Sequence, residues 1–211
     1  MHPGNHAFEL PPQPHFLPRG ISLHQYQPDS SGRRAVEEFI HGVYASRFGA
    51  DVRSFAPVLV CLAEGERIVA AAGYRSAALG PLFLERYLRA PVEKLLPTAA
   101  GLRPPRCRIV EVGHLASERF GEGLRLIRVL AHELAEQRFE WGVSTVTQEL
   151  RRLFLRLHVV PHALGVADPS ALGDDAVPWG TYYQHRPIVL AARLAPTLDH
   201  LTRRPSLQRI S

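Results

Sequence analysis

The stretch from Arg108 to Gly123 concentrates the groups in this chain that can do chemistry. It reads Arg108-Ile109-Val110-Glu111-Val112-Gly113-His114-Leu115-Ala116, then Ser117-Glu118-Arg119-Phe120-Gly121-Glu122-Gly123. A single carboxylate, Glu111, stands inside an apolar run, and carboxylates are rarely buried without a partner or a task. Burial raises a carboxyl pKa toward neutrality, which suits a general base for an ammonium acceptor. The alternative is a structural ion pair with Arg75, Arg108 or Arg125. His114 is a second candidate base. Residues 111, 113 and 115 share one face of an ideal strand and His114 lies opposite, unless a bulge brings it round. The glycines that follow open an amphipathic run, and free backbone N–H groups at a helix start can seat a phosphate. The pattern predicts a phosphate-bearing cosubstrate beside a base.

The flanking elements must place that stretch. Val36, Phe39, Ile40, Val43 and Tyr44 recur at helical spacing over 33–47, and Gly49 supplies a stop. Residues 57–63 and 67–75 read as a hairpin turning at Glu64-Gly65-Glu66. One or two helices are expected over 82–96. The strand 108–115 leads into a helix over 123–138, whose apolar face is Leu126, Ile127, Leu130 and Leu134. A strand over 141–147 and a helix over 150–157 follow, with Arg151, Arg152 and Arg156 outward. Val159-Val160 could begin another strand, and Ile188-Val189-Leu190 a last one. This order predicts an α+β domain with a mixed, mostly antiparallel central sheet flanked by helices. Residues 1–31 read as a proline-rich arm with a short strand at 21–26, residues 32–193 as the domain, and 194–211 as a basic tail.

Other reactive residue types are weaker signals. Cys61 and Cys107 sit in strand-like runs outside any CxxC pair, so reduced buried thiols are expected. No histidines have trusted metal-ligand spacing, and no metal is predicted. Trp179, Tyr182 and Tyr183 read first as core aromatics and second as the wall of an acyl or acceptor site.

Composition bounds the partners. The 211 residues carry a net charge of +5 and a pI near 9.7, and Lys94 is the only lysine. Guanidinium groups suit phosphates and carboxylates, so acidic partners are favoured. The arginines are interspersed with acids rather than clustered, which argues against nucleic acid. No secretion signal or membrane-length apolar run is visible, and a cytoplasmic protein is expected.

Several ordered blocks carry a family resemblance. They are Phe48-Gly49-Ala50 with Phe55-Ala56-Pro57, Leu82-Phe83-Leu84-Glu85-Arg86-Tyr87-Leu88, and Ile109-Val110-Glu111-Val112-Gly113 with Leu115-Ala116. Phe154-Leu155-Arg156-Leu157, Ala167-Asp168 and Trp179-Gly180-Thr181-Tyr182-Tyr183 follow. Over roughly residues 33–193 the chain resembles the thermostable hemolysin family, and its element order resembles the acetyltransferase-like (GNAT) fold and its relatives the acyl-homoserine-lactone synthases. His114 stands where the family pattern has asparagine, and His158 where it has glycine. The resemblance implies acyl transfer from a thioester to a small amine or hydroxyl acceptor. Val112, Gly113 and Leu115 would line the thioester. Gly121 and Gly123 would lie on its phosphates, with Arg119 and Arg125 compensating for Glu118, which stands where such folds carry arginine or glutamine. Glu111 and His114 are the candidate catalytic residues; Arg75, Trp179, Tyr182 and Tyr183 are the candidate substrate contacts. The donor would be acyl-CoA or the phosphopantetheine-linked acyl group of an acidic acyl carrier protein. Two other functions stay open: a membrane-active protein, as the family name implies, and a non-catalytic thioester- or ligand-binding module. The sequence does not choose between monomer and dimer.

Overall fold

The computed structural model describes residues 17, 20–98, 102–156, 159 and 161–195. Strands β1 (Ile21–Tyr26), β2 (Val58–Glu64), β3 (Arg67–Ser76), β4 (Ile109–Ser117), β5 (Trp141–Val146), β6 (His162–Val166) and β7 (Ile188–Arg193) form one sheet. Its order is β1-β2-β3-β4-β5-β7-β6. Every neighbouring pair is antiparallel except β4 and β5, which run parallel. A parallel pair needs a crossover, and α2 (Phe120–Glu136) supplies it. Helices α1 (Arg33–Phe48) and α3 (Gln148–Arg156) complete the layers.

Alternation along the strands assigns the two faces. Leu59, Cys61 and Ala71 pack with Val36, Ile40 and Tyr44 of α1, whereas Val60, Leu62, Ala70 and Ala72 pack with Leu126, Val129 and Leu130 of α2. The α1 face continues into a cluster of Ala77, Leu82, Leu84, Ile109, Trp141 and Val143. Gly49, at φ 61°, ends α1 in the left-handed conformation, as its place after the apolar stripe predicts.

Two expected elements differ. Residues 82–96 form short 3-10 turns (Phe83–Tyr87 and Val92–Lys94) in place of helices. They are shaped by a carboxylate: Glu85 accepts the N–H groups of Leu82 and Val92 and pairs with the Arg106 guanidinium at 2.8 Å. Cys107 lies exposed in the 3-10 turn Arg106–Arg108, so only Cys61 is a buried strand thiol. The strand after α3 starts at His162. Leu157, His158 and Val160, most of the N-terminal arm and residues 196–211 lie outside the described residues.

The resembling blocks dock on each other. Thr181 N–H donates to Phe48 O at 2.8 Å, and Asp51 N–H to Pro178 O. A Cβ on Gly180 would lie 2.2 Å from Phe48 O, so the end of α1 and the 178–181 segment meet at a contact only glycine allows.

Candidate active site

Strand β4 is built differently on its two edges. Toward β3 it pairs from Val110 to Ser117. Toward β5 the ladder holds only Ile109↔Trp141, Val110↔Gly142 and Glu111↔Val143, and then the strands part. At the parting point the Ser144 hydroxyl donates to the Val112 carbonyl at 2.7 Å, standing in for the next ladder bond. Beyond it a cavity of about 830 Å³ runs through the sheet. Val112, Gly113, His114 and Leu115 line one wall and Ser144–Thr147 the other.

The β3 edge carries the bulge that brings His114 round. Gly73 pairs with Gly113 and Ala71 with Ala116, so β4 holds one residue more than β3 over that interval. The extra residue falls at His114, which sits at φ 53°. The bulge turns the ring to the α1 face, where it packs on Phe55, with ring centres 5.6 Å apart. Its Nε2 lies 3.1 Å from Ser54 O; a carbonyl only accepts, so Nε2 carries the proton and Nδ1 holds a lone pair. That Nδ1 is shielded and without a hydrogen-bond partner. Burial is the main cause that pushes the His114 pKa down to about 4, so the ring is neutral at pH 7. Arg33 fixes the loop above it, donating to Ala56 O and Pro57 O at 2.8 and 2.9 Å.

Glu111 is the last residue of β4 still paired with β5, on the same face as Ile109 and the turn 83–87. Its Oε2 accepts the Phe83 N–H at 2.8 Å and its Oε1 the Leu84 N–H at 2.9 Å. Burial raises its pKa; the two N–H groups and the Arg75 charge oppose that rise. The ion-pair alternatives do not hold it. Arg75 stands opposite in the ladder and donates to Leu79 O. Arg108 lies near Glu140, and Arg125 pairs with Glu122.

The other sequence-selected residues separate into two groups. Val112, Gly113, His114, Leu115, Gly123 and Tyr182 line the cavity. Tyr182 is buried and donates to Thr145 O at 3.2 Å. Trp179 packs against Tyr44, Phe83 and Tyr182 in an aromatic layer on the α1 face. The Tyr183 hydroxyl is 2.7 Å from that of Tyr87. At the β4–α2 turn, Arg119 is exposed at the N-cap and Gly121 has open space around it. Gly123 differs, because a Cβ there would lie 2.7 Å from Ser117 Oγ; its lack of a side chain is explained by that packing. Glu118 is paired with Arg67, which offsets the repulsion it would otherwise offer a phosphate.

Some lining residues were not singled out in the sequence. Glu38, Gly42, Ser46 and Arg47 of α1 line the α1 side of the cavity. Ser144 bridges the split, and Thr145 Oγ1 is buried without a hydrogen-bond partner. The available signal was glycine inside regular elements: Gly42 in α1, Gly73 in β3 and Gly142 in β5, each a mark of close approach or missing volume. Among the described residues no group of three or more His, Cys, Asp or Glu is placed to hold a metal ion, and no helix is long and apolar enough to cross a membrane.

A mostly antiparallel seven-stranded sheet that opens between its one parallel pair defines the GNAT-like acyltransferase fold. The thermostable hemolysin family model matches residues 26–198, and the chain belongs to that family. Solved structures share the fold at low identity. The AHL synthase LasI is 17% identical, with a TM-score of 0.59 over 86% of this chain and 94% of its own. FeeM, an N-acyl amino acid synthase from uncultured soil microbes, is 14% identical, with a TM-score of 0.58 over 84% of this chain and 93% of its own. BjaI, a CoA-dependent acyl-homoserine lactone synthase, is 15% identical, with a TM-score of 0.53 over 86% of this chain and 88% of its own. No curated protein matches the chain.

Proposed function

We propose that this protein is an acyltransferase that moves an acyl group from acyl-CoA or acyl carrier protein to a small amine or hydroxyl acceptor. The observation that carries the reading is the parting of β4 from β5 after Glu111 and Val143, with the cavity it opens. A thioester arm laid in that gap meets a β4 edge that has lost its ladder partner. Arg119, exposed at the start of α2, would face the donor's phosphate, and a basic chain suits either donor. The two free cysteines fit a reducing, cytoplasmic setting.

Glu111 stands at the apex of the gap as the last β4 residue paired with β5, next to the cavity wall that begins at Val112 but not itself lining it, and the acceptor enters from the α1 face. Its nitrogen or oxygen attacks the thioester carbonyl carbon and the carbon–sulfur bond breaks. The acceptor's proton passes to Glu111, which hands it to the departing thiolate and returns to the carboxylate. The raised pKa of Glu111 brings it closer to what a base needs at neutral pH. Its two backbone N–H bonds fix the carboxylate and leave it further lone pairs. Arg75 steadies its charge from the neighbouring strand. His114 acts as a positioning residue, holding the bulge against the 53–57 loop.

A second reading, a module that holds a thioester without turning it over, is favoured by one observation. The lone pairs that both candidate bases would use are hindered, those of Glu111 by two backbone N–H groups and that on His114 Nδ1 by burial. Single-turnover assays with acyl-CoA and acyl carrier protein donors, an amine library and a free-thiol readout separate the two. Thiol release that depends on both donor and acceptor supports the enzyme. Donor binding without release across the library supports the module.

A further inference from the structure

We infer that Tyr182 is a positioning residue for the transfer proposed above: its hydroxyl takes the backbone carbonyl on the released edge of β5, so that the donor's arm pairs with β4; this rests on the acyltransferase reading. Leu194 N–H donates to Glu140 O at 2.9 Å, and β5 then pairs with β7 in unbroken register from Trp141↔Arg193 to Val146↔Ile188. Hydrogen-bonded and non-bonded pairs alternate along an antiparallel ladder. Gly142, Ser144 and Val146 therefore turn their backbone groups to β7, and Trp141, Val143 and Thr145 turn theirs to the β4 side. Trp141 and Val143 meet β4 partners there, and Thr145 is the first of the three past the split. Its carbonyl points into the gap, and the Tyr182 hydroxyl donates to it at 3.2 Å.

The phenol is mounted firmly. Phe48 O accepts both the N–H and the hydroxyl of Thr181, at 2.8 and 3.1 Å, and Gly180 meets the same carbonyl where no side chain fits. The buried Tyr182 ring packs on Tyr44, Phe48 and Trp179, with ring centres 6.4, 5.3 and 5.4 Å away. The Phe48-Gly49 and Trp179–Tyr183 blocks thus act together to hold one hydroxyl at the gap. Burial keeps its pKa well above the ordinary tyrosine value, so the proton stays on the oxygen and is donated. The placement matters because a phosphopantetheine arm carries amide N–H groups. A bare Thr145 carbonyl would accept one of them, since a shielded carbonyl without a partner is costly. An arm drawn to β5 in that way would carry its thioester away from Glu111, which stands on β4. The Ser144 hydroxyl on Val112 O does the corresponding work on β4 at the apex of the split, so a side-chain hydroxyl caps each strand where the two part.

Tyr182→Phe keeps the ring and removes the donor. The freed carbonyl should then hold the arm non-productively. Donor Kd by calorimetry, donor KM and kcat should all fall together, each by roughly two- to tenfold, the net worth of one hydrogen bond, with kcat/KM for the donor unchanged. Tyr182→para-aminophenylalanine restores an N–H donor and should return all three values toward wild type. Wild-type constants or a raised KM in Y182F would overturn the inference, and so would a failed rescue. A fall in kcat at unchanged KM would also overturn it, because the hydroxyl would then act on the reacting atoms. If Y182F does not fold, hydrogen exchange of the wild-type full chain decides. Acyl-CoA or acyl carrier protein donors should protect residues 112–117 and leave 144–147 unchanged, and protection of 144–147 would overturn the inference. Donor binding with the expected exchange pattern, but no thiol released with any acceptor, would overturn the acyltransferase reading and leave Tyr182 as the residue that orients a bound thioester.

Discussion

The two edges of β4 teach how one strand serves both stability and function. Toward β3 it is zipped for most of its length, with a single extra residue at His114. Toward β5 it is zipped for three pairs and then released. The zipped edge holds the strand in place, and the open edge lets a cavity pass through the sheet there. The bulge links the two edges, because it turns His114 to the face that Glu111 already occupies.

The largest expected effect comes from Glu111, at the point where the open edge begins. Glu111→Gln should lower turnover by roughly 10²–10⁴-fold, the usual worth of a general base. A carboxamide has one acceptor for two backbone N–H donors, so the variant also loses about 1–3 kcal/mol of stability, and activity must be compared on folded protein. The wild-type pH–rate profile makes the distinction. Turnover should rise with pH through an apparent pKa above the ordinary glutamate range, because burial raises that of Glu111. A flat profile would reduce Glu111 to an anchor for the 83–84 turn.

Next in size is His114, on the zipped edge. Its folded pKa of about 4 lies below the unfolded value of 6.5, so the unfolded chain takes up the proton first as pH falls. The stability this neutral ring contributes is complete above pH 6.5 and is lost between about 6.5 and 4, roughly 3 kcal/mol. Urea unfolding of His114→Asn across that range should show a flatter pH dependence than wild type. Equal slopes would mean that the ring swings out when protonated.

How much of this was readable from residues differs between the edges. Hydrophobic period placed α1, the β2–β3 hairpin, β4, α2 and β5 close to their observed bounds, because each has a continuous buried face. Glu111 was visible as a charge inside an apolar strand. The bulge was readable only as an option, since nothing local distinguishes a bulge from a regular strand at Gly113-His114. The 82–96 segment differs from the expected helices because a local bond from Leu82 N–H to Glu85 and long-range bonds from Arg106 and Glu111 fold it into turns. Ser144 went unnoticed because a lone serine in a strand carries no signal until its neighbour leaves.

That serine gives the third test. Ser144→Ala removes the donor to the Val112 carbonyl and should cost about 1 kcal/mol in urea unfolding, with donor affinity changed as well. No change in either would mean that the gap is held open by packing alone. The smallest effect is expected at Gly121. With open space around it at a helix start, Gly121→Ala should leave stability unchanged or raise it by under about 1 kcal/mol. If a donor phosphate rests on that turn, CoA affinity should still fall in G121A; unchanged affinity would move the phosphate elsewhere along the arginines of α2.

The most direct test of the central claim is photo-crosslinking of the full chain with an acyl-CoA bearing a diazirine in its acyl group, followed by peptide mapping. The account predicts adducts on residues that line the cavity, such as Val112, Leu115, Ser144 and Ile127. Adducts confined to outer surfaces, or labelling that excess unlabelled acyl-CoA does not suppress, would contradict it.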